Sequence, residues 1–105
     1  MVWYYYHYMP REDHMSFRFE WNEDKSKRNL AKHGVSFDEA STIFGDPLSL
    51  TIYDDAHSTD EDRYIDIGRS TSDRILVVVY TERSEHIRII SARVATSRER
   101  RQYEQ

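Results

Sequence analysis

Hydrophobic and polar positions alternate from Phe17 to Trp21, with Phe17, Phe19 and Trp21 separated by Arg18 and Glu20. A period of two marks a half-buried strand. Asn22 then stands as a helix N-cap ahead of Glu23 and Asp24. Lys32-His33-Gly34 closes that element with cations at the negative pole of the dipole and glycine at C′, which predicts a helix over 23–33. Ser36-Phe37-Asp38-Glu39 reads as a capping box, and Phe37, Ala40, Ile43 and Phe44 recur at helical spacing until Gly45-Asp46-Pro47 stops the second, short helix.

Beyond Pro47 the period returns to two. Leu48, Leu50 and Ile52 alternate with Ser49, Thr51 and Tyr53, and a polar loop covers 54–60. Strands are predicted over 63–69, 75–81 and 86–93, with connections short enough to require antiparallel hairpins. Thr96-Ser97-Arg98-Glu99 is a second capping box and opens a last helix to Tyr103. The element order β-α-α-β-β-β-β-α, without βαβ alternation or internal repeat, predicts an α+β domain with a twisted, mainly antiparallel sheet and helices packed on it.

At 105 residues, 38% hydrophobic and 32% charged, the chain supports one globular domain. Residues 16–105 are expected to form it. Residues 1–15 read as an N-terminal extension, from an alternative or vector-derived start. The competing reading is an added strand or oligomer contact, given Trp3, Tyr4, Tyr5, Tyr6 and Tyr8. The stretch lacks the basic and apolar regions of a secretory signal. Cysteine is absent, which removes disulfides and thiolate metal sites and suits a reducing cytoplasm. The longest apolar run is Ile75 to Tyr80, far short of the ~20 residues that span a bilayer, so a soluble cytoplasmic protein without a membrane partner is expected.

Charge is segregated along the chain. The formal total is −4, yet from Arg83 onward six arginines against three glutamates leave +3, while residues 35–62 carry eight acids and no Lys or Arg. Phosphate binding depends on the local footprint, so an acidic whole-chain balance does not exclude a polyanion partner. The plain alternative is a set of solvated faces that keep a small domain soluble.

Several words are more specific than these patterns: Phe19-Glu20-Trp21, Lys32-His33-Gly34-Val35-Ser36-Phe37, Phe44-Gly45-Asp46-Pro47, Ile67-Gly68-Arg69, Thr81-Glu82-Arg83, Ile89-Ile90-Ser91-Ala92-Arg93 and Arg98-Glu99-Arg100-Arg101-Gln102-Tyr103. In this order and spacing the chain resembles the BrnT toxin family from Phe17 to Glu104. The resemblance implies a RelE-like fold and a ribonuclease toxin of a type II toxin–antitoxin module, neutralised by a BrnA-type antitoxin in a hetero-oligomer. It also implies RNA cleavage without a metal, by attack of a ribose 2′-OH on the adjacent phosphate.

Such a step needs a base, a stabiliser of the extra negative charge and a proton donor. Arginine suits the second task because its planar fork binds phosphate oxygens bidentately and stays charged. Alternation places Arg63 and Arg69 on one face of their strand, and Ile87, Ile89, Ser91 and Arg93 on one face of the last strand, with Arg88 on the other side beside Ile90 and Ala92. Arg63, Arg69 and Arg93 are therefore the expected catalytic arginines, and Arg83, Arg88, Arg98 and Arg101 the expected RNA contacts. Each has the alternative role of a strand-edge or surface charge. His33, His57 and Glu82 are the candidate proton-transfer groups, although His33 also fits a helix cap and Glu82 an ordinary turn. Tyr103 suits stacking on a base, or simple packing of its ring.

No metal-ligand spacing links the histidines, and the acidic loop lacks the pattern of an EF-hand. No cofactor is expected. The loop fits a solvated turn or a docking surface for a basic partner. Two function classes stand: a metal-independent endoribonuclease, and a non-catalytic module that binds its antitoxin and takes part in operon autorepression.

Overall fold

The computed structural model describes residues 4–10, 16–83 and 85–105, with side chains from Arg18 onward. Strand β1 (Tyr4–Pro10) pairs antiparallel with β2 (Ser16–Asn22), which leads into α1 (Glu23–His33) and α2 (Phe37–Ser41). Of the stretch read as an extension, residues 1–3 and 11–15 lie outside the described residues. After α2 a 3-10 turn covers Thr42–Gly45. Then come β3 (Leu50–Tyr53), a second 3-10 turn (Asp55–His57), β4 (Arg63–Arg69), β5 (Ile75–Arg83), β6 (His86–Val94) and α3 (Ser97–Tyr103).

The fold is α+β, and its sheet runs β1-β2-β6-β5-β4-β3. Strands β2 to β6 make a five-stranded mixed sheet that β1 extends at one edge. The expected hairpins β4–β5 and β5–β6 are antiparallel, but β2 lies parallel to β6, with Phe19 opposite Ile87. The chain between β2 and β6 contains two helices and three strands, so β2 reaches its partner by a long crossover rather than a hairpin.

The local chemistry explains the helices. Asn22 accepts from the Lys25 N–H at 3.0 Å, and Gly34 takes φ 71°, a left-handed C-cap that favours glycine. Ser36 accepts from the Glu39 N–H at 3.0 Å. Thr96 and Glu99 form a complete capping box at the start of α3. Asn29, buried on α1, donates to the carbonyls of Val35 (2.9 Å) and Ala92 (2.7 Å) and so pins the helix to β6.

Each face of the sheet has its own apolar cluster. On the first, α1 and α2 bring Val35, Phe37, Ala40, Ile43 and Phe44 onto Phe19, Trp21, Leu76, Val78, Tyr80, Ile87, Ile89 and Ala92. Emptying such a site, as by Phe37→Ala, costs about 3–5 kcal/mol. Gly68 is closely packed here: a Cβ would stand 3.1 Å from the Cβ atoms of Ile43 and Ser49, closer than ordinary van der Waals contact. The second face carries Ile67, Ile75, Val77 and Ala95, with Leu50, Ile65 and Tyr103 against them. The short α3 covers only part of it, at the end of β4 where Arg69 lies.

The alternation expected along β6 is interrupted. Tyr80 pairs with Ile89 and Val79 with Ser91, leaving Ile90 as a bulge. One extra residue inverts the facing of everything after it. Ile87 and Ile89 therefore share the helix-covered face with Ala92, while Arg88, Ser91 and Arg93 share the other. The expectation that Arg88 points away from Arg93 is corrected by that bulge.

Candidate nucleic-acid groove

Arg63, Arg69, Arg88 and Arg93 all leave the second face of the sheet, but not at the same end. Arg63 pairs with Thr81, and Thr81 pairs in turn with Arg88, so two arginines flank one threonine in a row across three strands. Lys25 reaches this place from the first turn of α1, Arg83 from the end of β5 and His57 from the 3-10 turn after β3. Together with Asp60 and Glu61 they line a groove of about 200 Å³. Four cations against two carboxylates leave the groove positive within a chain of net charge −4.

The groups of the groove are held differently. Arg83 forms a bidentate pair with Glu61 at 2.7 and 2.8 Å. That hydrogen bonding, joined by the charges of Arg88 and Arg63, lowers the Glu61 pKa below its ordinary value. His57 places Nδ1 3.0 Å from an Asp54 carboxylate oxygen. A carboxylate on Nδ1 selects the tautomer that carries its proton there and leaves Nε2 as the acceptor. Thr81 is 2% exposed, and its hydroxyl has no hydrogen-bond partner among the described residues.

Other expected site residues lie elsewhere. Arg69 hydrogen-bonds Asp73 at 2.6 Å and lies over the Tyr103 ring, 5.9 Å from its centroid. Tyr103 donates to Asp46 at 2.5 Å, and the Arg69 N–H donates to the same carboxylate oxygen at 2.8 Å. Burial pushes the Asp46 pKa up, but these bonds and one from the Leu48 N–H outweigh it and hold the carboxylate below its usual range. Arg93 binds Glu99 through both oxygens, at 2.7 and 2.8 Å, tying the last strand to the capping box of α3. Arg69, Arg93 and Tyr103 thus anchor α3, and the expectation that Arg63, Arg69 and Arg93 converge on one phosphate is corrected by the geometry.

Glu82 pairs with Ile87 and faces the helix-covered side, beside Tyr64, Asp66 and Tyr80, so the sheet separates it from the groove. His33 is exposed at the end of α1, and Arg98 and Arg101 are exposed on α3. Lys25 and Thr81 of the groove, and Asp54 that pairs with His57 at its margin, were not among the expected site residues. The three-residue spacing of Asp54 and His57 was a usable signal for their pairing, whereas the placement of Lys25 and Thr81 depends on strand order. Among the described residues no group of three or more His, Asp or Glu is arranged to hold a metal ion.

Fold and groove together define a small α+β domain with a cationic depression suited to a polyanion. A family profile described as "Ribonuclease toxin, BrnT, of type II toxin-antitoxin system" matches residues 21–99, and the chain belongs to that family. Among solved structures it is similar to the Brucella abortus ribonuclease toxin BrnT, with 25% identity and a TM-score of 0.56, over 73% of this chain and 94% of that one. No curated protein matches the sequence. No helix among the described residues is long and apolar enough to cross a membrane.

Proposed function

We propose that this protein is an endoribonuclease toxin, RelE-like in fold, that cleaves RNA in the cytoplasm to inhibit translation and is held inactive by a BrnA-type antitoxin in a hetero-oligomer. The observation that carries this reading is the row Arg63–Thr81–Arg88 at the floor of a positive groove, with an Asp54–His57 pair at its margin.

In the proposed step the ribose 2′-oxygen attacks phosphorus, the 2′-O–P bond forms and the P–O5′ bond breaks. His57 Nε2 takes the 2′-OH proton as the general base. Arg63 and Arg88 neutralise the charge that accumulates on the non-bridging oxygens, a contribution of about 2.7–4 kcal/mol per well-placed donor. The departing 5′-oxygen takes a proton from the Lys25 ammonium, since guanidiniums hold theirs at any working pH. The products are a 2′,3′-cyclic phosphate and a free 5′-hydroxyl.

The purified, antitoxin-free protein is tested on an oligoribonucleotide and its 2′-deoxy counterpart, with and without a chelator. Cleavage of the ribo strand alone, with a cyclic phosphate end and no effect of the chelator, supports the proposal. Cleavage of the deoxy strand contradicts it, because no 2′-OH is then available. The alternative, a non-catalytic antitoxin-binding module in operon autorepression, is favoured by the pairing of Arg69, Arg83 and Arg93 with Asp73, Glu61 and Glu99. A protein that binds its antitoxin but cuts no RNA, free or ribosome-bound, supports that alternative.

A further inference from the structure

We infer that Thr81 is a substrate-binding residue of the groove, its hydroxyl donating to a non-bridging oxygen of the phosphate that Arg63 and Arg88 hold. The inference rests on the nuclease reading above and adds to it a residue that neither the sequence words nor the family description assigns.

Three observations meet at this side chain. Thr81 stands directly opposite Arg63 on one neighbouring strand and Arg88 on the other. It is 2% exposed. Its Oγ1 has no hydrogen-bond partner among the described residues. Buried polar groups are almost always bonded, and an unsatisfied one destabilises the fold. Valine fits the same space and the same strand without that cost. Thr81 lies between two side chains that can only donate, so its unpartnered hydroxyl suits an acceptor with several lone pairs. A phosphodiester supplies two non-bridging oxygens, enough for both guanidiniums and the hydroxyl.

The bulge at Ile90 contributes to this arrangement. Ile90 lines the same groove, and the extra residue turns the strand so that Arg88 stands on the face of Arg63 and Thr81. Arg63 and Arg88 are long, half-exposed side chains over a closed floor. For a phosphate oxygen to reach this hydroxyl, the two guanidiniums must turn so that the closed floor opens.

The test uses the full chain carrying Thr81→Val or Thr81→Ser. Thr81→Val is expected to lower kcat/KM for oligoribonucleotide cleavage by roughly tenfold, the worth of one hydrogen bond to a charged acceptor, while Thr81→Ser stays within about threefold of the parent. The melting temperature of Thr81→Val is expected to equal or exceed that of the parent, because the unpaired hydroxyl is gone. Full cleavage by Thr81→Val, equal losses in both variants, or a loss accompanied by a lower melting temperature overturns the inference. Binding of a non-cleavable 2′-O-methyl oligonucleotide is measured in parallel. If the parent cuts no RNA, the nuclease reading fails on that result. The Thr81 inference is then decided by binding: weaker for Thr81→Val upholds it, and unchanged overturns it.

Discussion

Arg63 and Arg69 leave the same face of one strand at its opposite ends, roughly 20 Å apart for six residue steps, and only Arg63 opens onto the groove. At its own end Arg69 is held by Asp73 and lies over Tyr103. Two positions that alternation makes equivalent are therefore separated in role by strand length alone, one in the groove and one in the anchor of α3.

The Arg93–Glu99 pair makes that anchor sensitive to acid. The Arg93 hydrogen bonds hold the Glu99 carboxyl down at about 2, from an ordinary value of 4.5. A depressed acid stabilises the fold above its unfolded pKa, and that stabilisation is lost as pH falls from about 4.5 through 2. Because both side chains are partly exposed, screening limits its worth to about 1 kcal/mol. Arg93→Ala is expected to lower the melting temperature by roughly 5 °C at neutral pH, with the difference closing near pH 2, as thermal melts across pH will show.

Asp66 has the opposite sign. Burial raises its pKa despite hydrogen bonds from Thr51 and Tyr80, the latter at 2.9 Å. An acid whose folded pKa is raised favours the folded state while protonated and disfavours it as pH climbs through the folded value. Asp66→Asn keeps an acceptor for Tyr80 and removes the buried charge, so it is expected to raise stability at neutral pH by on the order of 1 kcal/mol. The gain should vanish in acid, where the carboxyl is neutral, and denaturant melts at two pH values measure both.

Asp54 touches no substrate in the proposed step, yet it orients the imidazole that does. Asp54→Asn is expected to reduce the cleavage rate by about one to two orders of magnitude while leaving oligonucleotide affinity within a few-fold, because an asparagine no longer selects the Nδ1–H tautomer as firmly. Single-turnover rates and binding isotherms on one preparation separate the two effects.

Glu61 opposes a polyanion from inside the groove, where it occupies Arg83. Glu61→Gln removes one negative charge and loosens that guanidinium. Affinity for a non-cleavable single strand is expected to rise several-fold at low salt, and the slope of log affinity against log salt to steepen by about 0.7 for one added phosphate contact. A salt titration by fluorescence anisotropy provides both numbers.

Local signals in the sequence were readable because they act over a few residues. Asn22, Gly34, Ser36 and Thr96 sit at the helix ends their chemistry predicts. The hairpins around β5 followed from connection length. The parallel pairing of β2 with β6 was not legible, since it joins residues nearly seventy positions apart, as Phe19 and Ile87 are. The bulge at Ile90 carries no mark in the sequence, and it reversed the facing of Arg88. Glu39 shows a subtler limit. Read as a member of a capping box, it turns instead to Arg74 and Ser70, which lower its pKa through hydrogen bonds led by Arg74. The groove itself joins α1, the loop after β3, and β4, β5 and β6, so only Arg63, Arg83, Arg88 and His57 among the candidates meet there.

The most direct measurement compares the two ends of the second sheet face: RNA cleavage by Arg88→Ala and by Arg69→Ala, each checked for folding and antitoxin binding. Removal of the Arg88 guanidinium should cost about 10²–10³ in rate. Loss of the Arg69 guanidinium should leave the rate within a few-fold and lower only the melting temperature. A variant lacking Arg88 that cuts RNA at full rate, beside one lacking Arg69 that cuts none, would place the chemistry at the α3 end and contradict the groove as the site of cleavage.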